Sequence, residues 1–271
     1  MYYKLIACSV LQREFSLLAS RCSNTIDITT VRQQYHETPA FMTRMLQEEI
    51  DRIDNNTDPH TTDLTRRDID AILLGYGLCS NAVVGLHSKK YPIVIPKAHD
   101  CATLVIGSRE AYQQYFETYK GSYFFTRGWY ELGEFDASDS RRMEQLRQLY
   151  MEKYEDEDIV DELMELELEL TKNYKYITYV DWPALSDGAS RQCAKDICAA
   201  RGWTYNEMLG SDSLLDDLLE GRWDPKNSLS FSPVKLPNPL TILRSSKQPP
   251  SLKNKNLFFP WGKNLLYPEG K

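Results

Sequence analysis

The chain has 271 residues, of which 42% are hydrophobic and 26% are charged, a composition typical of an ordinary globular protein. No apolar run approaches the roughly 20 residues that a membrane-spanning helix needs. The N-terminal segment is predicted to enter a strand directly, without the basic start and apolar core of a signal peptide, so we expect a cytoplasmic protein. The formal net charge of −7 argues against general nucleic-acid binding, which requires a basic surface.

The charge is spread unevenly along the chain. Residues 224–271 contain eight Lys or Arg and two acidic residues, so this segment carries about +6 and the remainder about −13. Prolines recur through the same segment and exclude a regular helix. We therefore divide the chain into an α/β domain, residues 1–224, and an extended, basic, Pro-rich tail, residues 225–271, that docks on the body or on a partner. The acidic run 155–169 is predicted to be a solvated helix face.

Strands and helices alternate along the domain. In its first half, strands are predicted at residues 4–10, 26–31, 69–74 and 91–96, and helices at 11–20, 38–53, 78–86 and 102–119. The second half is predicted to contain an aromatic strand or loop at 121–129, a long helix at 138–171, a strand at 174–180, a helix at 186–200, a strand-like piece ending at Trp203 and an acidic helix at 209–221. Repeated strand–turn–helix units are typical of an α/β fold with a doubly wound, mostly parallel sheet flanked by helices.

Candidate metal ligands fall at the carboxyl ends of the predicted strands. Ligands of such a sheet bind there, near the point where the strand order reverses. The residues are Cys8, His36, Cys79, His99 and Cys101. Zinc takes thiolate and imidazole ligands in a tetrahedron, and a thiolate-rich site also suits an iron–sulfur cluster. We expect the three cysteines to be ligands and the two histidines to compete for the remaining place, with Asp100 or His99 orienting a ligand.

The cysteines also have simpler interpretations. A buried cysteine often behaves as a small hydrophobic residue, which is how we interpret Cys22, Cys193 and Cys198. A metal-free alternative is a cysteine nucleophile. Cys79 at the start of the predicted helix 78–86 would have a lowered thiol pKa, and a histidine from the same edge would be its partner.

The glycine turn Gly75-Tyr76-Gly77 follows a predicted strand. It resembles the start of a dinucleotide-binding loop, but Ser80 replaces the third glycine and no acidic residue ends a following strand at the expected distance. The glycines more simply let the backbone turn sharply and approach a ligand. We expect Gly75, Gly77 and Asn81 to contact a cofactor held at this edge.

Several motifs occur together within residues 1–224. They are Ala7-Cys8-x-Val10-Leu11-x-Arg13-Glu14, His36-x-x-Pro39, Gly75-Tyr76-Gly77-Leu78-Cys79-Ser80-Asn81, Ile95-Pro96-x-Ala98-His99-Asp100-Cys101, Gly107-Ser108, Gly202-Trp203 and Gly221-x-Trp223-Asp224. This set resembles the domain of unknown function family 1638 (DUF1638), and the resemblance implies a link to corrinoid-dependent methyl metabolism. His99-Asp100-Cys101 with a distant cysteine is also similar in form to the ligands of zinc-dependent methyltransferases, where zinc lowers the pKa of a bound thiol.

The residues and the resemblance together predict a metal–thiolate protein, with zinc as the cofactor and an iron–sulfur cluster or a corrinoid as alternatives. The expected function is an enzyme of thiol or methyl-group (corrinoid-linked) metabolism, such as a zinc-dependent methyltransferase. The alternative is a non-catalytic accessory protein that handles a metal or corrinoid for a methyltransferase partner. A metal with one coordination position free for a substrate would favour catalysis. A metal held by four protein ligands would favour a structural role. The expected partners are a small molecule or a corrinoid protein, and neither nucleic acid nor membrane.

Overall fold

The protein is described by a computed structural model over residues 1–32, 39–59, 68–78, 81–132, 140–225 and 228–231. The chain forms two compact units. Counting only the described residues, the first lies within Met1–Cys8, Arg21–Cys101 and 216–231, and the second within Ser9–Ser20 and Ala102–Leu215.

The first unit is built on a five-stranded sheet. Its strands are β1 (Tyr2–Cys8), β2 (Thr25–Val31), β3 (Ala71–Gly75), β4 (Ile93–Pro96) and β8 (Ser228–Phe231). They lie in the order β2-β1-β3-β4-β8; β8 is antiparallel to β4, and the other pairs are parallel. All residues of β1, β3 and β4 are buried, as expected for central parallel strands that are covered on both faces.

The second unit has a sheet of its own, with three parallel strands in the order β5-β6-β7. These are β5 (Ser122–Phe125), β6 (Tyr176–Asp181) and β7 (Thr204–Leu209). Aromatic residues dominate the interior around β5 and β6. Phe124, Phe125 and Tyr179 are at most 1% exposed, which explains the aromatic run that the sequence shows at this point.

The helices are, in chain order, α1 (Gln12–Arg21), α2 (Pro39–Asp54), α3 (Cys101–Ile106), α4 (Arg109–Thr118), α5 (Arg127–Glu131), α6 (Ser140–Tyr154), α7 (Glu157–Thr171), α8 (Gly188–Arg201) and α9 (Ser213–Glu220). Within the described ranges no helix is both long enough and apolar enough to cross a membrane. The α/β prediction is confirmed, because mostly parallel sheets are flanked by helices. The Pro-rich segment beyond Phe231 lies outside the described residues.

Two long predicted helices are each divided in the structure. Gly107 has a left-handed φ of 77° and separates α3 from α4, and the Ser108 side chain then accepts a hydrogen bond from the Ala111 backbone N–H at 3.1 Å. Glu155, with φ 51°, separates α6 from α7. Because a left-handed residue cannot continue a right-handed helix, the predictions of single helices at 102–119 and 138–171 are wrong.

The predicted helix 78–86 is also absent, since its described residues form a turn. Asn81 has φ 66° and Gly85 has φ 87°, both outside the helical region. The Val84 backbone N–H donates to the Asn81 carbonyl at 2.9 Å, a hydrogen bond of the kind that closes a tight turn. The short segment between β3 and β4 is therefore a loop over its described residues.

Candidate functional site

The strand order of the first unit's sheet reverses at β1, which is where α/β sheets usually bind ligands. From β1 the chain adds β2 on one side and then β3 and β4 on the other, so the strand order reverses at β1. Cys8 is the last residue of β1 and pairs in register with Val31 of β2, while Ala7 pairs with Gly75 of β3. Cys8 therefore ends the strand at which an α/β sheet of this type opens its crevice.

The loops that follow β3 and β4 are held against each other. The Leu78 backbone N–H donates to the Ala98 carbonyl at 2.9 Å. A Cβ atom on Gly77 would lie 2.6 Å from the Asp100 Cα, closer than any side chain allows, so glycine is required there. Gly77 thus permits two backbones to touch, which explains its place in the sequence more directly than a nucleotide loop does.

His99 and Asp100 form the polar part of this edge. The His99 ring nitrogen Nδ1 lies 3.4 Å from Asp100 Oδ2. The Asp100 side chain is 11% exposed, and the His99 side chain is 33% exposed. A carboxylate next to one ring nitrogen is the usual way in which proteins orient a histidine whose other nitrogen binds a metal.

The predicted cysteines occupy different positions at the same edge. Cys8 is buried at the end of β1, and Cys101 is half-buried as the first residue of α3. His36 and Cys79 lie outside the described residues. Considering only the residues that the structure describes, no group of three or more His, Cys, Asp or Glu side chains is arranged to hold a metal ion. Cys8, His99, Asp100 and Cys101 are all described, so these side chains do not form such a group as they stand, and a tetrahedral site would also need His36 or Cys79.

The remaining predicted cofactor contacts lie at the end of β3 and in the loop after it. Gly75 is the last residue of β3, and Asn81 is an exposed residue in the left-handed region, which asparagine tolerates better than most side chains. The described residues after Cys79 form a turn instead of the predicted helix. The helix-dipole argument for a lowered Cys79 pKa therefore loses its basis.

Of the other three cysteines, Cys198 is buried, and Cys22 and Cys193 are half-buried. Burial raises the thiol pKa of Cys22, Cys193 and Cys198, so these groups remain protonated at neutral pH. The Cys22 Sγ also donates to the Leu219 carbonyl at 3.4 Å. A protonated, hydrogen-bonded thiol is a poor metal ligand and a poor nucleophile.

A second polar region, in the second unit, was not predicted from the sequence. Burial raises the pKa of the Glu14 carboxyl to about 7, and this side chain is almost completely enclosed. Its neighbour in α1, Arg13, lines an open groove of about 580 Å³ together with Glu131, but Glu14 is not among the lining residues. Arg13 and Glu14 belong to one of the sequence motifs described above, but the sequence predicted no functional role for them. A glutamate at a helical position facing the core was the available signal.

No curated protein and no solved structure matches the chain. One family model, described as "Protein of unknown function (DUF1638)", matches residues 30–219. That range begins within β2, includes β3 to β7, and contains four of the five predicted ligands, with Cys8 outside it. Since the match covers more than half of the chain, this protein belongs to the DUF1638 family.

Proposed function

We propose that the carboxyl edge of the first unit's sheet is a metal–thiolate site that binds zinc. Cys8, Cys79 and Cys101 would supply thiolates, and His99 would supply the fourth ligand, with His36 as the alternative. The protein would use this site as an enzyme of thiol or methyl-group metabolism. The proposal is carried by one observation, the backbone contact that joins the loop before Cys79 to the loop that contains His99 and Cys101.

That contact matters because it brings together segments that are distant in sequence. Leu78, directly before Cys79, is hydrogen-bonded to Ala98, directly before His99. The close approach of Gly77 to Asp100 fixes the same two loops a second time. Cys8 ends the neighbouring strand β1, which pairs with β3, and this placement supports the inclusion of Cys8 in the proposed set.

The proposed donor atoms suit zinc better than magnesium or calcium, because those two ions prefer oxygen ligands, whereas zinc readily takes thiolate and imidazole. Bound zinc would lower the pKa of a coordinated substrate thiol and make it a nucleophile at neutral pH. The chain's own residues have separate tasks. Asp100 would hold the His99 ring by its Nδ1 atom so that Nε2 is directed to the metal. The buried end of β1 would keep the Cys8 thiolate away from water.

Elemental analysis of the full chain tests the proposal, using protein purified anaerobically without a metal-binding tag. We expect about one zinc per chain in the wild type and in the control Cys193→Ala, which removes a half-buried thiol of the second unit. Cys79→Ala and Cys101→Ala should each lose the metal while keeping the wild-type circular dichroism spectrum. Iron or cobalt in place of zinc would identify a cluster or a corrinoid and overturn the zinc assignment. A wild type without stoichiometric metal would overturn the site itself.

Two further variants identify the fourth ligand. His99→Ala should lose zinc, whereas His36→Ala should retain it if His99 is the ligand. X-ray absorption of the loaded protein then counts sulfur and nitrogen neighbours. Three protein ligands plus one oxygen from water would leave a coordination position for a substrate and would support catalysis. Coordination by four protein ligands would overturn the enzymatic part of the proposal.

A further inference from the structure

Exposed apolar side chains are concentrated on helices α6 and α7 of the second unit. Among the described residues, ten large hydrophobic side chains are exposed, and five of them belong to these two helices. The five are Leu149, Met151, Ile159, Leu166 and Leu168. A single exposed apolar residue is ordinary, but several on one face of a helix indicate an interaction surface.

Three apolar residues form a continuous strip along α7. Ile159, Leu163 and Leu166 follow one another at spacings of four and three residues, so they lie on one face of the helix. Ile159 is 43% exposed and Leu166 is 55% exposed, while Leu163 between them is half-buried. We call these three residues the α7 strip. Its two exposed ends are about 10 Å apart along the helix axis, because seven residues make two turns.

The surroundings of the α7 strip are strongly acidic. The helix contains seven Asp or Glu residues and no Lys or Arg. Glu162 lies three residues after Ile159 and four before Leu166, so it borders both exposed ends of the strip. Arg147 and Lys172 pair with other acids of this helix, and within the described residues Glu162 has no ion pair. An occupant of the strip therefore needs apolar side chains together with positive charge.

A segment of that composition lies in the chain itself, beyond the last described residue. Residues 253–263 read Lys-Asn-Lys-Asn-Leu-Phe-Phe-Pro-Trp-Gly-Lys, with three lysines, four large apolar side chains and no acid. Phe258 and Trp261 are three residues apart, and in an extended chain this separation spans about 10 Å. The spacing of the two aromatic rings thus matches the spacing of the exposed ends of the α7 strip.

The linking sequence is long enough for this segment to reach α7. Residues 232–252, which are 21 residues, separate Phe231 from Lys253. An extended chain spans about 3.3 Å per residue, so the linker allows a reach of about 70 Å. Since this exceeds the diameter of a typical domain, chemistry and not length decides where the segment docks.

We propose that residues 253–263 dock on the α7 strip of the same chain. Phe258 and Trp261 cover Ile159 and Leu166, and a lysine of the segment pairs with Glu162. The covalent link favours the chain's own segment over that of a second copy, because it holds the segment at an effective concentration of about millimolar. The docked segment shields apolar surface that would otherwise promote self-association. This inference does not depend on the proposed metal site.

Photo-crosslinking in the full chain tests the proposal, with p-benzoylphenylalanine in place of Phe258. We expect illumination to link residue 258 to α7 within one chain, near Ile159 or Leu166, as identified by mass spectrometry of the digested monomer. A dimer-sized product linked at α7 would overturn the intramolecular assignment in favour of a second copy. Links to other surfaces, or no links, would overturn the docking site.

The matched variants are the double substitution Ile159→Glu with Leu166→Glu and the control Val84→Glu, all at exposed positions. The double variant should reduce the yield of links to α7 by at least about fivefold, because carboxylates cannot replace the apolar contact. Val84→Glu should leave the yield unchanged, and an equal loss in both would overturn the assignment to the strip. If circular dichroism shows that the double variant is unfolded, Glu162→Lys takes its place, and an unchanged yield there would contradict the charge argument.

Trypsin reports the same docking without a label. Cleavage after Lys255 and Lys263 should be at least about fivefold faster when salt rises from about 0.05 to about 0.5 M, because screening weakens the contact with Glu162. A reference peptide corrects for the effect of salt on trypsin. The double variant should be cleaved at the faster rate already at low salt. Equal rates at these lysines in the wild type and the double variant would show that the segment does not dock on α7.

Discussion

Gly77 and Asp100 meet so closely that a Cβ atom on residue 77 would lie 2.6 Å from the Asp100 Cα. This contact joins the loops after β3 and β4, and every candidate ligand in those loops depends on it. The glycine is therefore a structural requirement of the edge where we propose metal binding.

Gly77→Ala should destabilise the protein by about 1–3 kcal/mol, because the added methyl group forces two backbones apart. Urea denaturation followed by circular dichroism measures the change in the free energy of unfolding. Gly188→Ala is the control, since nothing lies within 4 Å of the added Cβ at the start of α8. It should be neutral or stabilising by less than about 1 kcal/mol. Equal effects of the two substitutions would contradict the packing argument.

Asp100→Asn should weaken zinc binding by about tenfold or more while leaving the fold intact, because the uncharged amide holds the His99 ring less strongly. Competition with a chelator of known zinc affinity measures the change. Asp158→Asn, which alters an exposed residue of α7, serves as the control and should bind zinc as the wild type does. Unchanged affinity in Asp100→Asn would show that Asp100 does not orient a ligand.

Glu14→Gln should change how the free energy of unfolding depends on pH. In the folded chain the Glu14 pKa is about 7, above its ordinary value of 4.5, so the folded state binds more protons between these two values. Stability of the wild type therefore falls as pH rises from about 4.5 to 7, by up to about 3 kcal/mol. Glutamine cannot ionise, so the variant should lose this decline. Denaturant titrations at pH 5 and pH 8 compare the two proteins, with Glu165→Gln as the control.

Lys4→Met should destabilise the first unit by about 3–5 kcal/mol, because it leaves buried carboxylates without their cation. Lys4 Nζ lies 3.3 Å from Asp27 and 2.8 Å from Asp58, and all three side chains are at most 5% exposed. Asp58→Asn in the same chain should restore part of the loss. Lys172→Met, which breaks an exposed pair with Glu169, should cost less than about 1 kcal/mol. Urea denaturation separates these cases, and similar losses at the two lysines would refute the burial argument.

Two strands of the first unit, β1 and β3, were predictable as largely apolar runs, whereas β8 was not predicted because it lies in the segment that was expected to be an extended tail. Buried parallel strands are apolar on both faces, so β1 and β3 are recognisable without knowledge of their neighbours. Which strands pair with one another could not be predicted in the same way. Nothing local in β5, β6 and β7 shows that they form a separate sheet, because that depends on contacts between residues far apart in sequence.

The breaks between the helices have local sequence signals that the spacing of apolar residues does not show. Gly107-Ser108 combines a residue that easily becomes left-handed with a side chain that caps the next helix. The Asp156 carboxylate likewise accepts from the Ile159 backbone N–H at 3.2 Å at the start of α7. Apolar spacing continues across both breaks, so the pattern alone predicts longer helices than the chain forms.

The candidate site was predictable only as a topological inference. The carboxyl ends of parallel strands share one edge, which correctly brings the loops after β3 and β4 together. Glu14 was not identified, because its significance comes from enclosure and from charges more than 100 residues away, such as Glu131. Burial of a charged residue is a property of tertiary structure that the sequence around it does not display.

The antiparallel strand β8 has a consequence for handling the protein. It covers the outer edge of β4, whose backbone groups would otherwise be open to pairing with another chain. A truncation at Asp224, where the sequence suggests a domain boundary, would remove β8. The unpaired backbone groups of β4 could then pair with another copy of the chain. A truncation after Phe231 would keep β8. The useful boundary for a shortened, monodisperse protein is therefore set by edge protection and lies several residues past the change in composition.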